Sequence, residues 1–179
     1  MTYPGIYPRA VRSRKKNITP LSKLRTSDVV KIVVDHPRRL EELVSMLEDK
    51  DRNIRGRAAA TLARLSESHP SRLIRVLVRL REGLSDDAAY VRWHLAYTLG
   101  KLGSKYPVQS SRFLNDLGAC LDDENRIVRF FTCKALIQVA VRKPVMIEEF
   151  FRNKKKEIPP AIARILKSSR PKSRNAGNR

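Results

Sequence analysis

Three stretches of this 179-residue chain carry arginines and lysines with no acid among them: residues 52–64, 89–105 and 126–143. The cations are Arg52, Arg55, Arg57, Arg64, Arg92, Lys101, Lys105, Arg126, Arg129, Lys134, Arg142 and Lys143. A one-signed set of this kind attracts a polyanion, and counterions released from a phosphate backbone supply much of the affinity. Aromatic residues lie among them: Tyr90, Trp93, Tyr97, Phe130 and Phe131. Of these, Tyr97 and Trp93 are candidates to stack on unpaired bases, the alternative being packing between helices. Two cysteines, Cys120 and Cys133, and three histidines, His36, His69 and His94, form no metal-ligand spacing. They read as two apolar-face thiols and scattered side chains, with His94 facing solvent. No Gly-rich phosphate loop or nucleophile elbow is present, and no cofactor or metal is expected.

The elements that must position these cations follow from a repeat. Shifted by 37 residues, the chain aligns with itself three times without a gap. Asp49, Asp86 and Asp123 fall in register, as do Arg55, Arg92 and Arg129, then Leu62, Leu99 and Leu136, then Pro70, Pro107 and Pro144. A period between about 20 and 50 residues signals a solenoid. Each unit reads as two helices. The first carries leucines three and four residues apart (Leu40, Leu43 and Leu47 in the first unit), which places them on one face. An acidic turn follows, whose Asp and Asn side chains suit the open N–H groups of the next helix. The second helix bears the Ile/Val-Arg pair, a small residue at Ala59, Ala96 or Cys133, and the cations. Each boundary proline suits the first turn of the following helix, where its missing N–H costs little.

The turn aspartate, the Ile/Val-Arg pair six residues on, the small residue four later and the leucine beyond it resemble the HEAT repeat, in its HEAT-like, armadillo-type form, over roughly residues 36–144. The expected fold is all-α: a short α-solenoid of three 37-residue helical hairpins (about 36–69, 70–106 and 107–143) with terminal capping helices. Residues 144–168 are expected to form a partial repeat or cap, and Thr26-Ser27-Asp28 to open a capping helix at the other end, with a strand as the alternative. The repeat domain then spans 26–168, flanked by basic tails at 1–25 and 169–179 too poor in apolar residues to order themselves. The resemblance also implies that the second helices line a concave face. Three axes 8–10 Å apart make a cationic strip roughly 20 Å wide, about one duplex. It further implies that Arg55, Arg92 and Arg129 pair with Asp49, Asp86 and Asp123 in a ladder between neighbouring repeats.

Function does not follow from such a fold. HEAT-like glycosylases need a carboxylate on the concave face, and the cationic stretches have none, so a non-enzymatic role is expected. The net charge of +20 divides into +7 over residues 1–25, +9 over 152–179 and only +4 between them. The tails therefore contribute Arg14, Lys15 and Lys16 at one end and the run Arg152 to Lys156, with Lys154 and Lys155, at the other. Largely sequence-independent nucleic-acid binding, DNA before RNA, is the first expectation. A scaffold for an acidic protein partner is the alternative. No apolar run approaches the ~20 residues that span a membrane, no signal peptide is apparent, and an intracellular location is expected.

Overall fold

A computed structural model describes residues 19–169, and among these every regular element is helical. The second helices of the three repeats are each 17 residues long: α3 (Arg52–Ser68), α5 (Ala89–Lys105) and α8 (Arg126–Arg142). They pack side by side and form one layer. The layer is extended at its ends by α1 (Thr26–Asp35) against α3 and by α10 (Pro160–Ser169) against α8.

The first helices form the other layer and are less regular. The first combines a 3-10 turn at Pro37–Arg39, α2 (Leu40–Ser45) and a second 3-10 turn at Met46–Glu48. The next runs from a 3-10 segment at Pro70–Val76 through α4 (Leu77–Glu82) to Gly83–Ser85. The third comprises α6 (Pro107–Ser110), α7 (Leu114–Ala119) and a 3-10 turn at Cys120–Asp122. In the fourth hairpin α9 (Pro144–Lys154) takes this place.

The helix punctuation is local and repetitive. His36, His69, Tyr106 and Lys143 adopt nearly the same backbone angles, each donates its N–H to the carbonyl four residues back, and each precedes a proline at the start of the next helix. A residue before proline is driven out of the helical region, so the chain turns there. Asp51 and Asn125 cap α3 and α8 by accepting from Asn53 N (2.8 Å) and Ile127 N (2.9 Å). α5 begins at Ala88 without a side-chain cap; its turn is held by Asp86, which accepts from Ala88 N at 2.8 Å. α1 is a helix, not a strand, but Thr26, Ser27 and Asp28 lie inside it; Arg25 occupies the N-cap position and makes no side-chain cap.

The core lies between the layers and is continuous from Leu21 to Leu166. Leu40, Leu43, Leu80, Leu99, Leu117 and Leu136 are fully buried. Small residues set the spacing of the second-helix layer: a Cβ built on Gly100 meets the Ala135 backbone at 2.6 Å. The basic segment assigned to the N-terminal tail is ordered in part. Leu21 is fully buried, Arg39 donates to Thr19 O at 2.8 Å, and Leu21 N donates to Glu42. Residues 19–25 thus close the first repeat, because one leucine and the chain's own carbonyls find partners there. Arg14, Lys15 and Lys16, and the C-terminal tail beyond Ser169, lie outside the described residues.

Candidate nucleic-acid interface

The Asp/Arg register produces a built device at each internal repeat boundary. Arg55 Nε donates to Asp86 Oδ2 of the next repeat at 2.7 Å, and Arg92 Nε donates to Asp123 Oδ2 at 2.7 Å. Nη2 follows Nε across the boundary, to Asp86 Oδ1 (3.2 Å) and Asp123 Oδ1 (2.9 Å), and Nη1 turns back to its own repeat. Arg92 Nη1 donates to Asp86 O (2.8 Å) and Asp87 O (3.0 Å), and Arg55 Nη1 to Asp49 O (3.0 Å). Each aspartate also accepts from a backbone N–H two residues on, as Asp123 does from Asn125 at 2.8 Å. The pairing therefore runs from the arginine of one repeat to the aspartate of the next. The bidentate geometry raises the Arg92 pKa, first through its hydrogen bonds to Asp123, and the same bonds hold the Asp123 carboxyl below the usual carboxylate range.

This corrects the assignment of Arg92 to the binding face. It is 8% exposed and its donors are taken by the rung, so it has nothing to offer a phosphate. Arg57 is likewise committed: Nη1 donates to Ser22 O at 2.7 Å and Nη2 to Leu24 O, clamping the N-terminal segment onto α3. Both residues are cationic in the sequence and structural in the fold. Their partners lie more than 30 positions away, or in a segment with no repeat pattern.

The other second-helix cations are differently placed. Arg52, Arg64, Lys105, Arg126, Lys134, Arg142 and Lys143 are exposed and Lys101 is half-buried. Among the described residues none of the eight makes an ion pair. Four arginines of the first-helix layer, Arg39, Arg75, Arg79 and Arg81, behave in the opposite way. Arg79 Nε donates to Glu48 at 3.0 Å and its guanidinium lies 3.6 Å from Glu41; Arg81 reaches Asp116 at 3.1 Å; Arg39 pairs with Glu42 at 2.8 Å. At the C-terminal ends of α5 and α8, Lys105 and Arg142 flank a notch of ≈ 450 Å³ with Ser104, Tyr106 and Pro107. Lys154 and Lys155 are exposed where α9 ends.

The aromatics join α5 to α8. Trp93 stacks on His94 (centroids 3.5 Å apart) and on Phe131 (4.7 Å), and Tyr97 meets Phe131 edge-on at 5.9 Å. Lys101 Nζ lies 5.2 Å from the Tyr97 ring centroid and Lys134 Nζ 6.0 Å from that of Phe131. Trp93 is thus engaged within the protein. His94 is half-buried, its Nδ1 2.6 Å from Tyr90 O, and burial lowers its pKa, contrary to the expectation that it faces solvent. Tyr97 is also half-buried; its hydroxyl donates to Glu67, and burial together with that carboxylate pushes its pKa up to about 12.

Glu67 is the residue missed from sequence. α3 continues to Ser68, four residues beyond the end of the acid-free stretch at residue 64, so one carboxylate, Glu67, does sit on the second-helix layer. Counting back from Pro70, as the matching Pro107 and Pro144 allow, places it on the helix. Its hydrogen bond to Tyr97 ties α3 to α5.

Burial pushes the Cys120 thiol up to about 11, away from a thiolate. Among the described residues no group of His, Cys, Asp and Glu is arranged to hold a metal ion, and no helix is long and apolar enough to cross a membrane.

No curated protein matches the chain. A protein-family model does, over residues 70–170: Cnd1, described as non-SMC mitotic condensation complex subunit 1. That span takes in the second and third repeats and the closing hairpin, more than half of the sequence. With its all-helical, two-layer repeat architecture, the chain belongs to the Cnd1 family of helical-repeat condensation-complex subunits.

Proposed function

We propose that this protein is a non-enzymatic, nucleic-acid-binding repeat scaffold that contacts the phosphate backbone, of DNA first and RNA second, through its second-helix layer. One observation carries the reading: the cations are sorted by pairing as well as by position. On the first helices Arg39, Arg75, Arg79 and Arg81 meet carboxylates while Arg38, Arg72 and Arg112 do not, whereas on the second helices Arg52, Arg64, Lys101, Lys105, Arg126, Lys134, Arg142 and Lys143 all lack a counter-charge among the described residues. Unpaired cations held on rigid helices need little reorganisation to meet phosphates, and neutralising each one releases counterions. Lys154, Lys155 and the cations of the tails, Arg14, Lys15 and Lys16 among them, extend the footprint. Binding of this kind positions a backbone and reads no bases.

The test is a titration of the full chain with duplex DNA, single strands and RNA at several salt concentrations. A log–log slope of about −0.9 for each phosphate contacted on duplex DNA is expected. Lys101→Glu with Lys134→Glu should make the slope shallower by roughly 2 and leave helix content unchanged. An unchanged slope in that variant would remove the second-helix layer from the interface.

A second reading, docking of an acidic protein segment, is favoured by a different feature. The cleft between α9 and α10, ≈ 400 Å³, sets Phe151, Ile158 and Leu166 beside Arg152, Lys155 and Lys156. A family named for a subunit of a complex is compatible with it. Weak salt dependence, with loss of partner binding in Ile158→Ser at the partly buried rim of the cleft, distinguishes this reading from phosphate contact.

A further inference from the structure

The arginine ladder has an open end. Arg55 and Arg92 each reach an aspartate of the following repeat, at 2.7 Å. Arg129, in the same register, uses Nη1 on Asp123 O (2.6 Å) and Glu124 O (2.9 Å), as its counterparts use theirs, but among the described residues its Nε and Nη2 meet no carboxylate. The reason is in the fourth hairpin. Where the earlier turns carry Asp86-Asp87 and Asp123-Glu124, the connection after α9 reads Lys155-Lys156-Glu157-Ile158-Pro159; Lys156 turns back to pair with Asp122, and Glu157, the one acid there, makes no ion pair with Arg129 among the described residues.

The apolar surface beside the open rung is uncovered in the same way. Gly56, Trp93 and Phe130 share one register position, the one that faces the next second helix. Gly56 lies under the ring of Tyr90, and Trp93 under Phe131. Phe130 is 61% exposed and its neighbour Ile127 45%.

We infer that this end of the stack docks a partner protein through an aspartate-bearing turn that leads into a helix. The aspartate would complete the Arg129 rung and the helix would cover Phe130 and Ile127. The internal boundaries supply the template: a carboxylate on Nε and Nη2, and an aromatic or apolar side chain over position 130. Residues 1–18 and 170–179 contain no acid that could supply the carboxylate. A second copy offers Asp49, which makes no ion pair among the described residues. The face of α3 behind Asp49, however, is occupied by α1 and by the segment that Arg57 clamps through Ser22 and Leu24. The inference does not depend on the second-helix layer binding nucleic acid.

The probe is a labelled, helix-stapled peptide of residues 120–142, the edge that closes the Arg92 rung inside the protein. The full chain should bind it, with affinity falling at least tenfold when the peptide carries Asp123→Asn. Arg129→Ala in the protein should cause a similar loss, and the two changes together should cost little more than either alone. Arg129→Asp against a peptide with Asp123→Arg should recover part of the binding, which a merely structural role for Arg129 would not produce. Should Arg129→Ala unfold, Phe130→Ser carries the test: it alters an exposed side chain and should weaken peptide binding several-fold while duplex DNA binding stays the same. Absence of peptide binding, or binding indifferent to both Asp123 and Phe130, overturns the inference. So does an Arg129-dependent self-association in sedimentation, which assigns the surface to a second copy, or an Arg129- and Phe130-dependent loss of DNA binding without peptide binding, which makes it a phosphate contact.

Discussion

Replacing the same residue type at two in-register positions isolates what a closed rung contributes. Arg92→Ala removes a guanidinium that donates to Asp123 at 2.7 and 2.9 Å and to two carbonyls of its own turn. It leaves the Asp123 carboxylate, whose side chain is 9% exposed, without its cation. Breaking one side of a buried pair costs about 3–5 kcal/mol, and the neighbouring water-exposed rim puts this case near 3. Arg129→Ala removes only two bonds to carbonyls from an exposed side chain, about 1 kcal/mol. For a chain of this size the difference corresponds to about 4–8 °C in Tm. Urea unfolding followed by circular dichroism and by the fluorescence of the single tryptophan, Trp93 at the α5–α8 contact, measures it. The pH dependence supplies a second readout. Because Arg92 holds the Asp123 carboxyl below its ordinary value, the rung's contribution is complete above about pH 4. It is lost as pH falls through the lower folded-state value. Asp123→Asn should therefore destabilise at neutral pH and flatten the loss below pH 4. Equal losses for Arg92→Ala and Arg129→Ala, with an unaltered acid limb in Asp123→Asn, would refute the claim that closed rungs stabilise the stack.

Three further outcomes test the packing. Leu99→Ala, at a fully buried position, should destabilise by about 2–5 kcal/mol in the same unfolding assay. Gly100→Ala forces a methyl group to 2.6 Å from the Ala135 backbone; a loss of about 1–3 kcal/mol is expected, and Ala135→Gly should recover part of it. Lys155 holds φ = 51° at the end of α9, so Lys155→Gly should raise stability by up to about 1 kcal/mol, measured as a higher Tm.

The sequence by itself determined the repeat, the all-helical class and the helix ends that a following proline sets. These are local or periodic properties: leucines at three- and four-residue intervals face one way, aspartates cap, and a proline turns the residue before it. The cationic character of the second helices was equally legible, since it is a count. Tertiary structure alone decided which of those cations are free. Arg55, Arg92 and Arg129 are indistinguishable in register, yet two are closed in rungs and one is open, because the partner aspartate belongs to the following repeat and in the fourth turn no carboxylate, Glu157 included, reaches Arg129 among the described residues. Arg57 looked like a surface cation and is a clamp, because the carbonyls of Ser22 and Leu24 reach it from a segment outside the repeat. His94 looked exposed and is half-buried against Trp93, whose ring Phe131 of α8 stacks upon. A residue's type states what it can bind; whether that capacity is already spent depends on neighbours 30 or more positions away, and only the packed chain brings those together.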